Sequence, residues 1–275
     1  MWVSCRLRSD SHSLTAPPFH LFRLDASNIR IHSIREHDFV VSVRQLDDHA
    51  QESSQLHDGY RVISALLIAF NVGALGTFTI AQDPWTHPIL TIAEDLEGNG
   101  ARSAALVVEP ETVYEERRAI SEIDVEAAAL VFGIIARERT SILTGEYLRG
   151  LMLMRMNVLD LDFRREAFLC FYRALEHFAA ARILKVRRLS NELRDLQQAL
   201  RTLTNDEVLI GELRAVYRIR SSQVAHSQVA QENISKDDLL KMKVFLDFVM
   251  HKTFKAEANA AMSARRSNSS VSTNS

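Results

Sequence analysis

The chain has 275 residues, of which 47% are hydrophobic and 25% charged, and its formal net charge is −2. A chain of this length can bury the core of one large domain or two modest ones. Two cysteines cannot build a disulfide framework, and no Cys/His cluster has metal-ligand spacing, so we expect neither a metal nor another cofactor. The cysteine usage favours the cytoplasm, and the N-terminus lacks the apolar core of a secretory signal. The nearly neutral charge gives no signal for DNA binding.

The region up to residue 110 mixes strand and helix signals, which predicts a small α+β domain of unknown role. Polar residues 47–58, which include neighbouring Asp and His side chains, are interpreted as a loop in preference to a metal site. Short runs rich in β-branched and apolar residues, bounded by turn signals, predict the strands. The predicted strands are residues 28–32, 39–43, 75–81, 89–93 and 104–108.

Residues 62–81 carry no charge, and about 20 such residues could span a bilayer. Polar residues interrupt the run, however, and neither flank carries a basic cluster. Gly73 and Gly76 divide the run into a buried helix over residues 60–72 and the strand over residues 75–81. A membrane attachment is therefore the less favoured interpretation.

From Pro110 onward the apolar spacing becomes that of helices, so the chain is predicted to be mainly α. We assign residues 111–255 to a helical bundle and the Ser- and Asn-rich residues 256–275 to a disordered tail. Charge differs along the chain: residues 45–136 hold 15 acidic and 4 basic side chains, whereas residues 137–201 hold 8 acidic and 13 basic ones. The predicted helices are residues 112–139, 143–157, 160 or 162 to 185, 187–203, one capped by Thr204 with Glu207, and 239–254 capped by Ser235 with Asp238. An aromatic stripe predicts bundle core at Phe168, Phe171, Tyr172, Leu175 and Phe178.

Arg220 and His226 are the candidate catalytic residues, with Tyr217 and Ser221 as auxiliary ones. Histidine can move a proton near neutral pH, and a guanidinium can stabilise the charge that builds on phosphorus. Together they can cleave RNA without a metal, by deprotonating the 2′-hydroxyl and stabilising the pentacoordinate phosphorane. On a straight helix the two side chains point about 240° apart. A shared site therefore requires either a helix that frays before His226 or a dimer.

The segment around Arg220 and His226, together with the sequence Phe-Tyr-Arg-Ala-Leu-Glu at residues 171–176, resembles the HEPN superfamily, most closely its ApeA-like bacterial branch. The resemblance covers roughly residues 125–254. It implies an α-helical bundle that dimerises and cleaves RNA without a metal. Arg220 would stabilise the phosphate and His226 would be the catalytic histidine. Two positions depart from the family pattern, since Ser221 follows the arginine and Ser227 follows the histidine.

The leading hypothesis is thus a homodimeric, metal-independent endoribonuclease in bacterial stress response or phage defence. The alternative is a catalytically inactive HEPN-like module that binds RNA or a protein. A basic stretch could follow an RNA backbone, although a solvated helix face explains it as well. Its members are Arg182, Lys185, Arg187 and Arg188.

Overall fold

The computed structural model describes residues 2–14, 29–44, 52–80, 89–92, 102–105, 118–136, 142–156, 162–221 and 234–271. The strands are β1 (Trp2–Ser9), β2 (His12–Ser13), β3 (Ile29–His32), β4 (Asp38–Arg44), β5 (Phe78–Ile80), β6 (Ile89–Ile92), β7 (Arg102–Ala105) and β8 (Arg118–Ala119). The helices are α1 (Glu52–Gly73), α2 (Glu122–Ile135), α3 (Ile142–Arg155), α4 (Arg164–Phe178), α5 (Glu192–Leu203), α6 (Glu207–Ile219) and α7 (Lys236–Val271). A π-helical segment, Ala179–Leu184, continues α4. The described residues are thus mainly helical, with a small antiparallel sheet, as the sequence predicts.

The main sheet has the strand order β3-β4-β1-β5, and all its neighbouring strands are antiparallel. Strands β3 and β4 confirm the two predictions for residues 28–32 and 39–43. The inner strand β1 was not predicted, because arginines on one of its faces gave the N-terminus a polar appearance. Its other face carries Leu7, which is fully buried and pairs with Phe39 of β4.

The uncharged segment forms a helix followed by a strand, as predicted, since α1 covers it up to Gly73 and β5 covers residues 78–80. The residues of α1 from Ile63 onward are mostly buried against the sheet and against α2. Gly73 permits this packing, since a Cβ built there would lie 2.4 Å from the Cα of Ala128 in α2. No described helix is long and apolar enough to cross a membrane. The segment therefore serves as core, and the predicted loop over residues 47–58 is wrong from Glu52 onward, where α1 begins.

Helices α2 to α7 form the remainder of the fold, and their buried faces join those of β1, β4 and α1 in one apolar cluster. The predicted aromatic stripe of α4 is confirmed, since all five of its residues are at most 2% exposed. This cluster contains residues from both sides of residue 110, so it does not mark a boundary between two domains. The division of the chain into residues 1–110 and 111–255 stays a prediction.

Several helix ends differ from those predicted. Helix α2 begins ten residues later than expected, behind a capping box formed by Ser121 and Asp124. Helix α6 is capped by Asp206, whose side chain accepts a hydrogen bond from the Val208 N–H, so the predicted capping box of Thr204 with Glu207 is wrong. The cap at Ser235 is confirmed by its bond from the Asp238 N–H at 3.0 Å.

Two helices also differ at their far ends. The helix predicted to run to residue 185 changes at Ala179 into the π-helical segment, which ends at Lys185 in the left-handed conformation with φ 57°. Helix α7 does not stop near residue 254 but continues to Val271. Residues 256–271 therefore differ from the predicted disordered tail. Alanine, the strongest helix former, is frequent directly after residue 255, and neither Gly nor Pro follows it.

Candidate functional site

Arg220 lies directly after α6, in a π-type turn that it shares with Ser221. Its Nη2 makes an ion pair with Oε2 of Glu192 at 3.2 Å, and its guanidinium carbon lies 5.7 Å from the ring centre of Tyr172. The Arg220 side chain is still 32% exposed. It is thus held in place on one side and accessible to solvent on the other.

Glu192 is the first residue of α5, and its carboxylate contacts the side chains of both Tyr172 and Arg220. Its Oε1 accepts a hydrogen bond of 2.5 Å from the Tyr172 hydroxyl, while its Oε2 forms the ion pair with Arg220. The first turn of a helix also favours a carboxylate electrostatically. Burial and the neighbouring Glu192 carboxylate both raise the pKa of Tyr172, so this hydroxyl stays protonated and donates the hydrogen bond to Glu192.

Glu176 adds a second carboxyl to this group. It follows Tyr172 by one helical turn on α4, and it interacts electrostatically with Glu192 and Arg220. Burial, and then the charge of Glu192, raise the pKa of Glu176 to about 7, against smaller opposing effects of Arg220 and Arg173. At neutral pH this carboxyl therefore exists in both protonation states. A group of this kind suits proton transfer.

We call Tyr172, Glu176, Glu192 and Arg220 the Arg220 cluster. Three helices meet in it, because α4 supplies the first two side chains, α5 the third and the end of α6 the fourth. The cluster offers a half-exposed cation beside a carboxyl that exchanges its proton near neutral pH. These are two of the groups that acid–base chemistry at a phosphodiester needs.

Of the other predicted site residues, Ser221 and Tyr217 have contacts of their own within the fold, and His226 is not among the described residues. His226 lies outside the described residues, and so does Ser227, so their distance from Arg220 stays open. The Ser221 hydroxyl donates a hydrogen bond of 2.7 Å to the Tyr217 carbonyl oxygen. Tyr217 is half-buried and packs against the core. Helix α6 is regular up to Ile219 and widens into a π-type turn at Arg220 and Ser221. The predicted fraying before His226 falls on residues outside the described part of the chain and stays a prediction.

Comparison of the chain with models of known protein families, with curated proteins and with solved structures found no match. The roles of the cluster residues therefore rest on their geometry and chemistry. Among the described residues, no group of three or more His, Cys, Asp and Glu side chains could hold a metal ion.

Sequence reasoning identified Arg220 but missed the three residues around it. Tyr172 was predicted to lie in the apolar core, and Glu176 entered only as the last residue of the segment over residues 171–176. Glu192 carried no signal by itself, since it opens a short charged helix. A usable signal was present on α4, where Tyr172 and Glu176 place two polar groups one turn apart beside an otherwise apolar face.

One residue of the basic stretch, Arg182, has partners within the fold. Arg182 makes two hydrogen bonds with Glu257 of α7, at 2.9 and 2.7 Å, and its guanidinium lies over the Phe254 ring. Lys185 occupies the end of the π-helical segment. At least Arg182 therefore connects two helices.

A buried ion pair within α7 is hydrogen-bonded to the turn before β5. The side chains of Lys243 and Asp247 are 0% and 1% exposed, and the Lys243 Nζ lies 2.5 Å from the Asp247 Oδ2. The Lys243 ammonium also donates to the Gly76 carbonyl at 2.6 Å, and the Tyr147 hydroxyl of α3 donates to Asp247 at 2.5 Å. This arrangement satisfies both charges in the interior, which is the condition for burying them without a large penalty. Its role is structural.

Proposed function

We propose that this protein is a metal-independent endoribonuclease of the HEPN type, acting as a homodimer in bacterial stress response or phage defence. The observation that carries the proposal is the position of Arg220, half-exposed and fixed by Glu192 beside the proton-exchanging carboxyl of Glu176. The resemblance of the Arg220–His226 segment to HEPN proteins supports the reaction, and the cysteine usage supports a cytoplasmic setting.

In this proposal His226 removes the proton from the 2′-hydroxyl of the ribose, and the 2′-oxygen attacks the adjacent phosphorus. Arg220 stabilises the additional negative charge of the phosphorane. A guanidinium has five N–H donors, so Arg220 can contact a phosphate while Nη2 stays with Glu192. Protonated Glu176 would then donate its proton to the departing 5′-oxygen as the P–O bond breaks. The products would be a 2′,3′-cyclic phosphate and a 5′-hydroxyl.

The test is cleavage of single-stranded RNA in EDTA by the wild type, Arg220→Ala and His226→Ala. We expect cleavage by the wild type, with cyclic phosphate ends, and a loss of at least about 100-fold in both variants. Arg218→Ala, an exposed arginine on the same helix, is the matched control and should keep its activity. A substrate with 2′-deoxyribose at every position should remain intact. Equal cleavage by all four proteins would refute the proposal.

A binding module without catalysis is the second candidate. It is favoured by the ion pair itself, because Glu192 neutralises Arg220, and by Ser221, whose hydroxyl is bonded to the helix backbone. This candidate predicts RNA binding that weakens with salt and survives in both alanine variants, without cleavage. Binding to a protein partner would leave RNA neither bound nor cut.

A further inference from the structure

The four-stranded sheet has an inner face that packs on α1 and an outer face that is largely open to solvent. The inner face includes Val3, Leu7 and Val41. Because side chains alternate between the two faces of a strand, the residues between these lie on the opposite side, which we call the outer sheet face. The register of the strands places on it Trp2, Ser4, Arg6 and Arg8 of β1, Asp38, Val40, Ser42 and Arg44 of β4, and Arg30 and His32 of β3.

The outer sheet face carries more positive than negative charge, with four arginines and one carboxylate. The carboxylate of Asp38 lies 4.0 Å from Arg6, and that of Asp10, in the turn after β1, lies 3.1 Å from Arg8. Arg30 and Arg44 are both exposed, and no carboxylate of the described residues pairs with either of them. The excess of positive charge is therefore largest at the end of the sheet where β1 begins.

An exposed tryptophan lies at this same end of the outer sheet face. Trp2 is 41% exposed and is the cross-strand neighbour of Arg44. The guanidinium carbon of Arg30 lies 5.5 Å from the centre of the Trp2 ring, which is a cation–π contact. An indole ring can stack on a nucleobase while a neighbouring guanidinium binds the phosphate beside that base. We call Trp2, Arg30 and Arg44 the Trp2 group.

A row of polar side chains adjoins the Trp2 group. The Ser42 hydroxyl lies 2.7 Å from the Ser4 hydroxyl and 2.7 Å from Nε2 of His32. Nδ1 of His32 lies 3.0 Å from the Ser33 hydroxyl, and Ser4, His32 and Ser33 are exposed. Hydroxyl and imidazole groups can exchange hydrogen bonds with a ribose 2′-hydroxyl, which both donates and accepts. This row therefore favours RNA over DNA as the anion that the arginines attract.

We propose that the outer sheet face binds single-stranded RNA, with a base stacked on Trp2 and backbone phosphates on Arg30 and Arg44. Stacking accepts any base, and the cations follow the backbone, so the combination suits single strands. A duplex keeps its bases paired and offers none to Trp2, and an acidic peptide would match the charge without stacking. The proposal uses no residue of the Arg220 cluster and requires no cleavage, so it does not rest on the proposed nuclease.

Fluorescence anisotropy of a labelled single-stranded RNA, titrated with the full-length Arg220→Ala protein, measures this binding. The Arg220→Ala background removes both cleavage and the contact of RNA with that guanidinium. In this background Trp2→Ala, Arg30→Glu and Arg44→Glu should each raise the Kd at least about fivefold, whereas Trp2→Phe keeps an aromatic ring and should stay within about threefold. Arg61→Glu is the matched control, because Arg61 is exposed on α1 beyond the inner face, and its Kd should be unchanged. Circular dichroism of each variant checks that the fold persists.

The fluorescence of Trp2 tests the stacking itself. The chain has two tryptophans, so in a Trp85→Phe protein the indole emission comes from Trp2 alone. Single-stranded RNA should quench this emission, and DNA of the same sequence should bind at least about threefold more weakly, since it lacks the 2′-hydroxyl. Equal binding of DNA, duplex RNA or poly-glutamate would overturn the proposal, and so would a Kd that all three substitutions leave unchanged.

The two proposals fail in different ways. Cleavage by the wild type in EDTA, without quenching of Trp2 by RNA, would overturn the assignment of the outer sheet face and leave the nuclease proposal standing. Quenching that depends on the Trp2 group, without any cleavage by the wild type, would overturn the nuclease proposal alone.

Discussion

The raised pKa of Glu176 makes the stability of the protein depend on pH in a defined direction. The pKa of this carboxyl rises from 4.5 to about 7 on folding. Between these two values the folded state holds the proton and the unfolded state has lost it. The contribution of Glu176 is therefore fully present below about pH 4.5 and is lost progressively as the pH rises through 7.

The magnitude follows from the size of the shift. Each pKa unit corresponds to about 1.4 kcal/mol, so the full shift would correspond to roughly 3 kcal/mol. Glu176 is half-buried and solvent screens part of the effect, which reduces the expected change to about 1–2 kcal/mol. Glu176→Gln removes the titration, so the variant should gain this amount relative to the wild type between pH 4.5 and pH 8.

Urea denaturation of both proteins at a series of pH values measures the difference. Glu166→Gln is the matched control, since Glu166 is an exposed carboxyl on the same helix, and its curve should follow that of the wild type. A constant difference in the free energy of unfolding between Glu176→Gln and the wild type over this range would refute the raised pKa of Glu176. A pKa for Glu176 near 4.5, measured by NMR titration, would refute it as well.

Four further substitutions test the fold and the cluster. Lys243→Met leaves Asp247 buried without its cation and should lower the free energy of unfolding by about 3–5 kcal/mol in urea; a loss below about 1 kcal/mol would contradict the buried pair. Gly73→Ala places a Cβ against the backbone of α2 and should lower the free energy of unfolding by more than about 2 kcal/mol in the same assay. Gly211 has open space around it, so Gly211→Ala should raise the free energy of unfolding by about 0.5–1 kcal/mol. Equal effects at the two glycines would contradict the close packing of α1 on α2. Glu192→Gln removes the negative charge beside Arg220 and leaves an acceptor for the Tyr172 hydroxyl. RNA should therefore bind this variant about 3- to 10-fold more tightly in a filter assay at fixed salt. Unchanged binding would mean that RNA does not contact the Arg220 cluster.

The sequence predicted the elements whose side chains alternate clearly between apolar and polar. Strands β3 and β4 and the aromatic face of α4 belong to this class. Strand β1 escaped prediction because its buried face is short and its other face carries arginines, and only pairing with β4 and β5 makes it an inner strand. The end of α7 escaped because composition suggested disorder where alanines favour a helix.

The candidate site was predictable in one of its four residues. Arg220 drew attention through the chemistry of its side chain and through its distance from His226. Glu192 and Glu176 lie 28 and 44 positions before Arg220, and no local pattern connects such separations. The π-type turn that orients Arg220 and the buried environment that changes the pKa of Glu176 are both consequences of tertiary packing.

The most direct test of the central claim is cleavage of single-stranded RNA in the presence of EDTA, compared between the wild type and Arg220→Ala. The account predicts that the wild type produces 2′,3′-cyclic phosphate ends and that the variant loses at least about 100-fold in rate while keeping its fold by circular dichroism. An Arg220→Ala protein that cleaves as fast as the wild type, or a wild type that leaves the RNA intact, would contradict it.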